Sequence, residues 1–151
     1  MGWAPVPLAF VVIGTASALS WAESTDPSGL WQSPDSRSGG VRAEVRLEVR
    51  DGLLEGHIVR VVSARDALHP VCHWCSGNRK DSPFVGMTLL EGLQRSSKDP
   101  LLWEDGRVLD PDTGRLFRAR IRMDPSGANL ELRGYFGIPL NGKSQIWRRL
   151  E

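Results

Sequence analysis

The sequence has little net charge and none of the short motifs that mark common enzymes. Its 19 basic and 18 acidic side chains leave a formal net charge of +1, which gives no general attraction to nucleic acid or to an anionic membrane. No G-x-S-x-G, P-loop, H-E-x-x-H or G-x-G-x-x-G segment is present. We therefore expect a non-enzymatic protein without a cofactor and without a nucleic-acid partner. Its 151 residues suit one domain.

A long apolar run occurs once, at the N-terminus. The segment from Leu8 to Ala18 carries no charge, and it is too short to span a bilayer as a mature helix. Small residues follow it, so we interpret residues 1–22 as a signal peptide cleaved after Ala22, or alternatively after Ala18. An uncleaved anchor is the other interpretation. Cleavage predicts a periplasmic or secreted protein with no membrane span in the mature chain.

No segment shows a long helical period. Instead, apolar and polar residues alternate along several segments. Residues 23–40 are rich in Ser, Pro, Gly and Asp and are interpreted as a leader. From Val41 to Arg50 apolar and charged residues alternate strictly, which is typical of a strand with one buried face and one solvent-exposed face. Asp51-Gly52 is a hairpin turn signal. Seven or eight such strands predict an all-β sandwich or barrel over residues 41–151.

The segments on either side of the turn at residues 124–127 predict a hairpin whose register can be worked out. If Met123 pairs with Ala128, apolar residues meet on one face, and Arg120 faces Glu131 on the other. The arginine row at positions 118, 120 and 122 is then a solvated face, since stacking aromatics that would suit nucleic acid do not accompany it.

The strand after Asp51-Gly52 places three positions toward the core, Leu54, Gly56 and Ile58. The same alternation turns Arg60 inward, near a rim of the sheet. We expect Arg60 and Trp74 to contact a ligand. Small residues at 43, 56 and 119 leave room inside, whereas large ones at 47, 58 and 117 fill it, so the alternation does not decide whether the interior is hollow.

Cys72-His73-Trp74-Cys75 contains both cysteines of the chain and has three interpretations. In an oxidising compartment the two cysteines form a structural disulfide, because neither sulfur has another partner. Alternatively, His69, Cys72, His73 and Cys75 hold a metal ion. As a third interpretation the pair is redox-active, although the helix N-terminus that would stabilise a thiolate is not indicated.

Six segments resemble the bacterial DUF2147 family of exported proteins. They are "GLW" at Gly29, "GHIVRV" at Gly56, "CHWCSGN" at Cys72, "GMTLLEGL" at Gly86, "GRVLDPDTGRLF" at Gly106 and "LRGYFGIPLNGKSQIWRR" at Leu132. The resemblance implies a lipocalin-like antiparallel β-barrel of about eight strands, in the periplasm or outside the cell. It implies no catalytic residue, because no activity is assigned to the family.

Lipocalins also carry a G-x-W on the first strand, with a basic residue of the last strand over the indole. Gly29-Leu30-Trp31 and Trp147-Arg148-Arg149 match these roles, so we expect residues 29–31 to pack on the barrel. Two unrelated core tryptophans are the alternative.

Taken with the resemblance, the sequence predicts an exported, non-enzymatic barrel that binds a small, partly apolar ligand or a cell-envelope component. One alternative is a periplasmic thiol–disulfide or metal-handling protein centred on Cys72 and Cys75. Another is a structural envelope protein that docks a partner. The sequence does not predict the oligomeric state.

Overall fold

Eight antiparallel strands form a closed barrel in the computed structural model, which describes Gly2 and residues 25–151. The strands are β1 (Gly29–Pro34), β2 (Val41–Arg50), β3 (Leu53–Val61), β4 (Thr88–Arg95), β5 (Leu102–Asp110), β6 (Arg115–Met123), β7 (Asn129–Tyr135) and β8 (Gly142–Arg149). A short helix, α1 (Ala64–Leu68), and a 3-10 turn (Gly77–Arg79) lie between β3 and β4. The predicted eight-stranded barrel is confirmed, while the predicted signal peptide lies outside the described residues, Gly2 apart.

Each strand pairs with the next along the chain, and β8 pairs with β1. Successive loops therefore lie at alternate ends of the barrel. We call one end the mouth; it carries the loops 35–40, 62–87, 111–114 and 136–141. The other end, the base, carries the loops 51–52, 96–101 and 124–128.

Alternation decides which side chains enter the barrel. In β2, Ala43, Val45 and Leu47 are buried, while the charged residues between them face outward. On the outer wall Arg122 pairs with Asp99 at 2.6 Å. The charged face is thus solvated and partly ion-paired, as the alternation predicts.

The base is closed by Trp31 and Arg149. The Trp31 indole is fully buried, its Nε1 donates to the carbonyl of Pro27 at 2.9 Å, and the Arg149 guanidinium lies 4.3 Å from the ring centroid. Arg149 also donates to the carbonyls of Ser28 at 2.6 Å and Gly127 at 2.6 Å. The expected pairing of the G-x-W tryptophan with a basic residue of the last strand is confirmed, and such a contact stabilises by about 0.5–2 kcal/mol.

Two sequence-based boundaries need correction. Gly29–Pro34 is a full barrel strand that pairs with both β2 and β8, so the barrel begins at Gly29 and not at Val41. The β6–β7 register is also shifted by two residues, with Met123 opposite Leu130. The reason is a longer turn, closed by the backbone N–H of Asp124 donating to the Asn129 carbonyl at 2.9 Å. A shift of two keeps every side chain on its predicted face.

The predicted inward orientation of Arg60 is wrong. Val45 pairs with Ile58, but Glu44 pairs with Arg60, so one extra residue is accommodated in β3 at this point. Such a bulge reverses the alternation beyond it. The Arg60 side chain is therefore 63% exposed and bonds to Glu44 on the outer wall.

Candidate functional site

The mouth half of the barrel is hollow. A cavity of about 720 Å³ opens there, and its volume lies within the range of small-molecule sites. Its walls are apolar side chains from seven of the strands: Ala43, Ile58, Val61, Leu89, Val108, Phe117, Leu132 and Trp147. The barrel interior can therefore hold a molecule.

The base half is filled, and two glycines show how. A Cβ on Gly56 would lie 2.7 Å from the Leu47 side chain, and one on Gly106 would lie 2.4 Å from that of Leu93. The space left by these glycines is thus occupied by neighbouring leucines. The expectation that Gly56 leaves room for a ligand is wrong, whereas Ala43 does line the cavity.

A cluster of two cations and two carboxylates, the ion cluster, lies at the mouth. Arg42 Nε donates to Asp66 Oδ2 at 2.7 Å, and Arg42 Nη2 donates to Asp112 Oδ1 at 2.9 Å. Arg65 Nη1 also donates to Asp112 Oδ1, at 3.0 Å. The cluster therefore ties β2 to the loops that follow β3 and β5.

Burial and hydrogen bonding act in opposite directions on these charges. Burial disfavours the guanidinium of Arg42, but its bonds to Asp112 and Asp66 outweigh this and raise its pKa. Burial likewise opposes ionisation of Asp112, but the hydrogen bond from Arg42 outweighs it and lowers the pKa of this carboxyl below 3.8. Arg42 and Asp112 are thus both charged near neutral pH. The ion cluster could not be predicted from the sequence, because the alternation in β2 assigns Arg42 to the solvent-exposed face.

Local sequence places Asp66 against Arg42. The Ser63 side chain caps α1 by accepting from the N–H of Asp66 at 3.3 Å. The N–H groups of Val62 and Ser63 both donate to the carbonyl of Arg42, at 2.8 and 3.0 Å. The start of the loop after β3 is therefore held at Arg42 by backbone hydrogen bonds, which brings Asp66 of the same loop within reach of the Arg42 guanidinium.

The disulfide loop, residues 70–84, forms one side of the mouth. Cys72 and Cys75 are joined with an S–S distance of 2.02 Å, so the predicted disulfide is confirmed, and both residues are buried. The N–H of Phe84 donates to the carbonyl of Pro70 at 2.8 Å, and Phe84 lines the cavity. The loop that contains the disulfide therefore contributes Phe84 to the cavity wall.

Gly114 allows this loop to approach the β5–β6 turn. Its φ is +71°, and a Cβ there would lie 2.0 Å from the carbonyl oxygen of Trp74. A side chain at this position would therefore meet backbone atoms, which cannot move aside alone. The loop packs against the turn because the residue there is glycine.

A family model described as "uncharacterized protein conserved in bacteria" (DUF2147) matches residues 29–149. The chain belongs to the DUF2147 family. The match begins at the first residue of β1 and ends at the last residue of β8, so the family shares the whole barrel.

A solved structure also resembles this DUF2147 chain. It is protein HP1028 of the human pathogen Helicobacter pylori, described as belonging to the lipocalin family. It is 16% identical, with 83% of this chain and 84% of that chain covered and a TM-score of 0.70. This similarity shows that the DUF2147 barrel is lipocalin-like in fold. No curated protein matches the chain significantly.

The sequence-predicted ligand residues do not lie in the cavity of the DUF2147 barrel. Arg60 is on the outer wall, and Trp74 is 68% exposed at the tip of the disulfide loop. The wall includes neither of them. The residues that do line it at the mouth include Arg42, Asp66 and Asp112, which a sequence cannot place together because they lie on three separate segments.

The four residues of the metal hypothesis are not arranged around one point. The sulfurs of Cys72 and Cys75 are bonded to each other, His69 is exposed, and His73 Nδ1 lies 3.1 Å from Asp81 Oδ1. Over the residues that the structure describes, no three His, Cys, Asp or Glu side chains are grouped to hold a metal ion. Nor does any helix in that part of the chain have the length and apolar character needed to cross a membrane.

Proposed function

We propose that this DUF2147 protein is an exported, non-enzymatic barrel that binds one small, partly apolar molecule in the mouth cavity. The observation that carries the proposal is the cavity itself, about 720 Å³ of space inside a barrel whose other half is tightly filled. Eight-stranded barrels either fill with side chains or hold one small ligand, and the empty half favours the second.

The wall chemistry supports a ligand of mixed character. The deeper wall, with Ile58, Leu132 and Trp147, is apolar and would bury hydrocarbon. Nearer the opening, Lys143 of β8 lines the same cavity, as do Arg42, Asp66 and Asp112 of the ion cluster, and Gln145 lines it at the level of Leu132. A ligand with an apolar body and a polar or anionic end would satisfy both regions.

The disulfide supports export. Disulfides persist in oxidising compartments and are rare where thiols are kept reduced. A buried Cys72–Cys75 bond therefore fits the periplasmic or extracellular location that the apolar segment before Ala22 predicts.

The same burial favours a structural disulfide over a redox centre. Thiol–disulfide exchange requires that a thiolate reach one of the sulfurs, and both cysteines are enclosed by the loop and the β5–β6 turn. The sulfur pair would also have to be reduced before it could bind metal as thiolates. The ligand-binding hypothesis requires neither exposure of the sulfurs nor reduction of the disulfide.

The test uses two tryptophan substitutions on one strand. Val61 lines the cavity, whereas Val59 is exposed on the outer wall. The purified protein is titrated with N-phenyl-1-naphthylamine, an apolar probe whose fluorescence rises when it leaves water, and native mass spectrometry looks for a molecule retained from the cell. We expect saturable, one-to-one probe binding that Val61→Trp weakens at least tenfold and Val59→Trp leaves unchanged.

Two results would contradict the proposal. One is the absence of saturable binding by the unsubstituted chain. The other is equal binding by Val61→Trp and Val59→Trp when both keep the native melting temperature, because the probe would then not occupy the cavity.

A further inference from the structure

Large apolar side chains are exposed around the mouth. They are Leu68 on α1, Trp74 on the disulfide loop, and Phe136, Ile138 and Leu140 on the β7–β8 loop; we call them the apolar rim. Leu140 is 84% exposed and Trp74 68%. All five belong to loops at one end of the barrel, the end where the cavity opens. Exposed apolar groups concentrated in one region mark an interaction site.

The β7–β8 loop holds its apolar residues in place. The Arg133 guanidinium donates to the carbonyl oxygens of Pro139, Leu140 and Gly142. The Phe136 ring packs on Phe117, with ring centroids 4.5 Å apart. A fixed loop that presents apolar side chains outward loses little conformational freedom when they enter an apolar phase.

Among the described residues, the exposed charges at the mouth that lie in no ion pair are positive. The unpaired carboxylates there, Asp35 and Asp110, are buried or partly buried and accept hydrogen bonds within their own loops. The carboxylates of Asp66 and Asp112 are bound by the guanidinium groups of the ion cluster. In contrast, no carboxylate of the described residues lies within ion-pair distance of Arg37, Arg115 or Lys143. Arg115 follows the β5–β6 turn and Lys143 follows the β7–β8 loop, so both cations lie at the same end of the barrel as the apolar rim.

We propose that the mouth docks on a bilayer surface that contains anionic lipids, with the apolar rim in the interfacial region and the cavity opening toward the lipid. Separate projecting loop tips suit a fluid bilayer better than a rigid protein face, which needs a continuous, complementary surface. Tryptophan favours the membrane interface, and exposed cations are attracted to anionic headgroups. This docking goes beyond ligand binding and does not depend on what the cavity holds.

The test is co-flotation of the exported chain, purified after export, with vesicles. One set contains phosphatidylethanolamine and phosphatidylglycerol, and the other contains phosphatidylcholine alone. The rim variant is Ile138→Ser/Leu140→Ser, in which neither residue lines the cavity. Its matched control is Ile146→Ser/Val49→Ser, at exposed apolar positions elsewhere on the barrel. N-terminal sequencing checks that the apolar run before Ala22 is absent from all of these chains, so that flotation reports on the barrel alone.

We expect the unsubstituted chain and the control to float with the anionic vesicles, and the rim variant to partition at least tenfold less. Arg115→Glu should also weaken flotation, and added salt should weaken that of the unsubstituted chain. Probe binding in the cavity should be unchanged in the rim variant, which separates this proposal from the proposed function.

Three outcomes would overturn the docking proposal. The unsubstituted chain could fail to float with anionic vesicles. The rim variant and the control could float equally. Sedimentation could show self-association that depends on Ile138 and Leu140 without vesicle binding, which would assign the rim to a second copy of this chain.

Discussion

Replacing Arg42 with methionine removes the cation that two carboxylates share at the mouth. Methionine keeps much of the length of the side chain, so the main change is electrostatic. Asp66 is then left with Arg65 alone, whose nearest nitrogen lies 3.7 Å away, while Asp112 keeps its bond to Arg65 at 3.0 Å. The free energy of unfolding should fall because a carboxylate that is only 11% exposed loses its main partner.

The magnitude follows from the burial of the three side chains. Breaking a fully buried ion pair costs about 3–5 kcal/mol. Because Asp112 is partly exposed and keeps one partner, we expect a smaller loss, about 2–3 kcal/mol. For a domain of this size that corresponds to a decrease in melting temperature of roughly 6–12 °C. Arg50→Met on the same strand should cost under about 1 kcal/mol, since Arg50 and Glu48 form an exposed pair.

The loss should depend on pH in a defined direction. The folded-state pKa of Asp112 lies below its ordinary value of 3.8, so its stabilising contribution is present above that value and is lost as the pH falls through the folded pKa. The difference between the unsubstituted chain and Arg42→Met should therefore be full at pH 7 and shrink below about pH 4.

The assay is urea unfolding followed by tryptophan fluorescence at pH 7 and in steps from about pH 4 to about pH 2, which covers the range below the ordinary pKa of Asp112. Arg42→Met/Asp66→Asn should recover part of the loss at pH 7, because the amide carries no charge to be left unpaired. Equal costs for Arg42→Met and Arg50→Met, or a difference that does not shrink in acid, would refute this account of the ion cluster.

Three further predictions concern the glycine contact, the disulfide and export. Gly114→Ala should lower the melting temperature much more than Gly137→Ala, because both residues have positive φ but only Gly114 faces a backbone carbonyl; equal losses would contradict this. Cys72→Ala/Cys75→Ala should still fold, with a loss of at most about 2 kcal/mol from so short a loop, and thiol titration of the denatured, unreduced native chain should find no free thiol. N-terminal sequencing of exported material should begin near Glu23, whereas a chain recovered from membranes with Met1 intact would contradict cleavage.

The fold could be predicted largely because side-chain alternation is a local property. The strict pattern of residues 41–50 reports which face of β2 is buried, and the G-x-W and final arginines could be matched without knowing any distance. Strand register is less local. The two registers of the β6–β7 hairpin place the same side chains on the same faces, so only the length of the turn distinguishes them.

The site could be predicted less well, because it depends on irregularities and on packing between distant segments. One extra residue in β3 was enough to reverse the orientation of Arg60. Whether a small residue leaves space depends on its neighbours, as Gly56 is covered by Leu47 whereas Ala43 borders the cavity. No alternation pattern contains this information, since it describes one strand at a time.

Closure of the barrel depends on a contact between the two strands that are farthest apart in sequence. β1 pairs with β8 through Trp31–Arg149 and Gln32–Arg148, whereas every other pairing joins consecutive strands. Consecutive pairs can form as soon as both strands are available, but the last pairing must wait for β8, and long-range contacts of this kind slow folding. Until then β1 has one partner strand and a free edge, which can pair with another chain. We therefore expect the rate-limiting step of folding to be the arrival of β8 on β1, and the interval before it to be the period in which the chain is prone to aggregate.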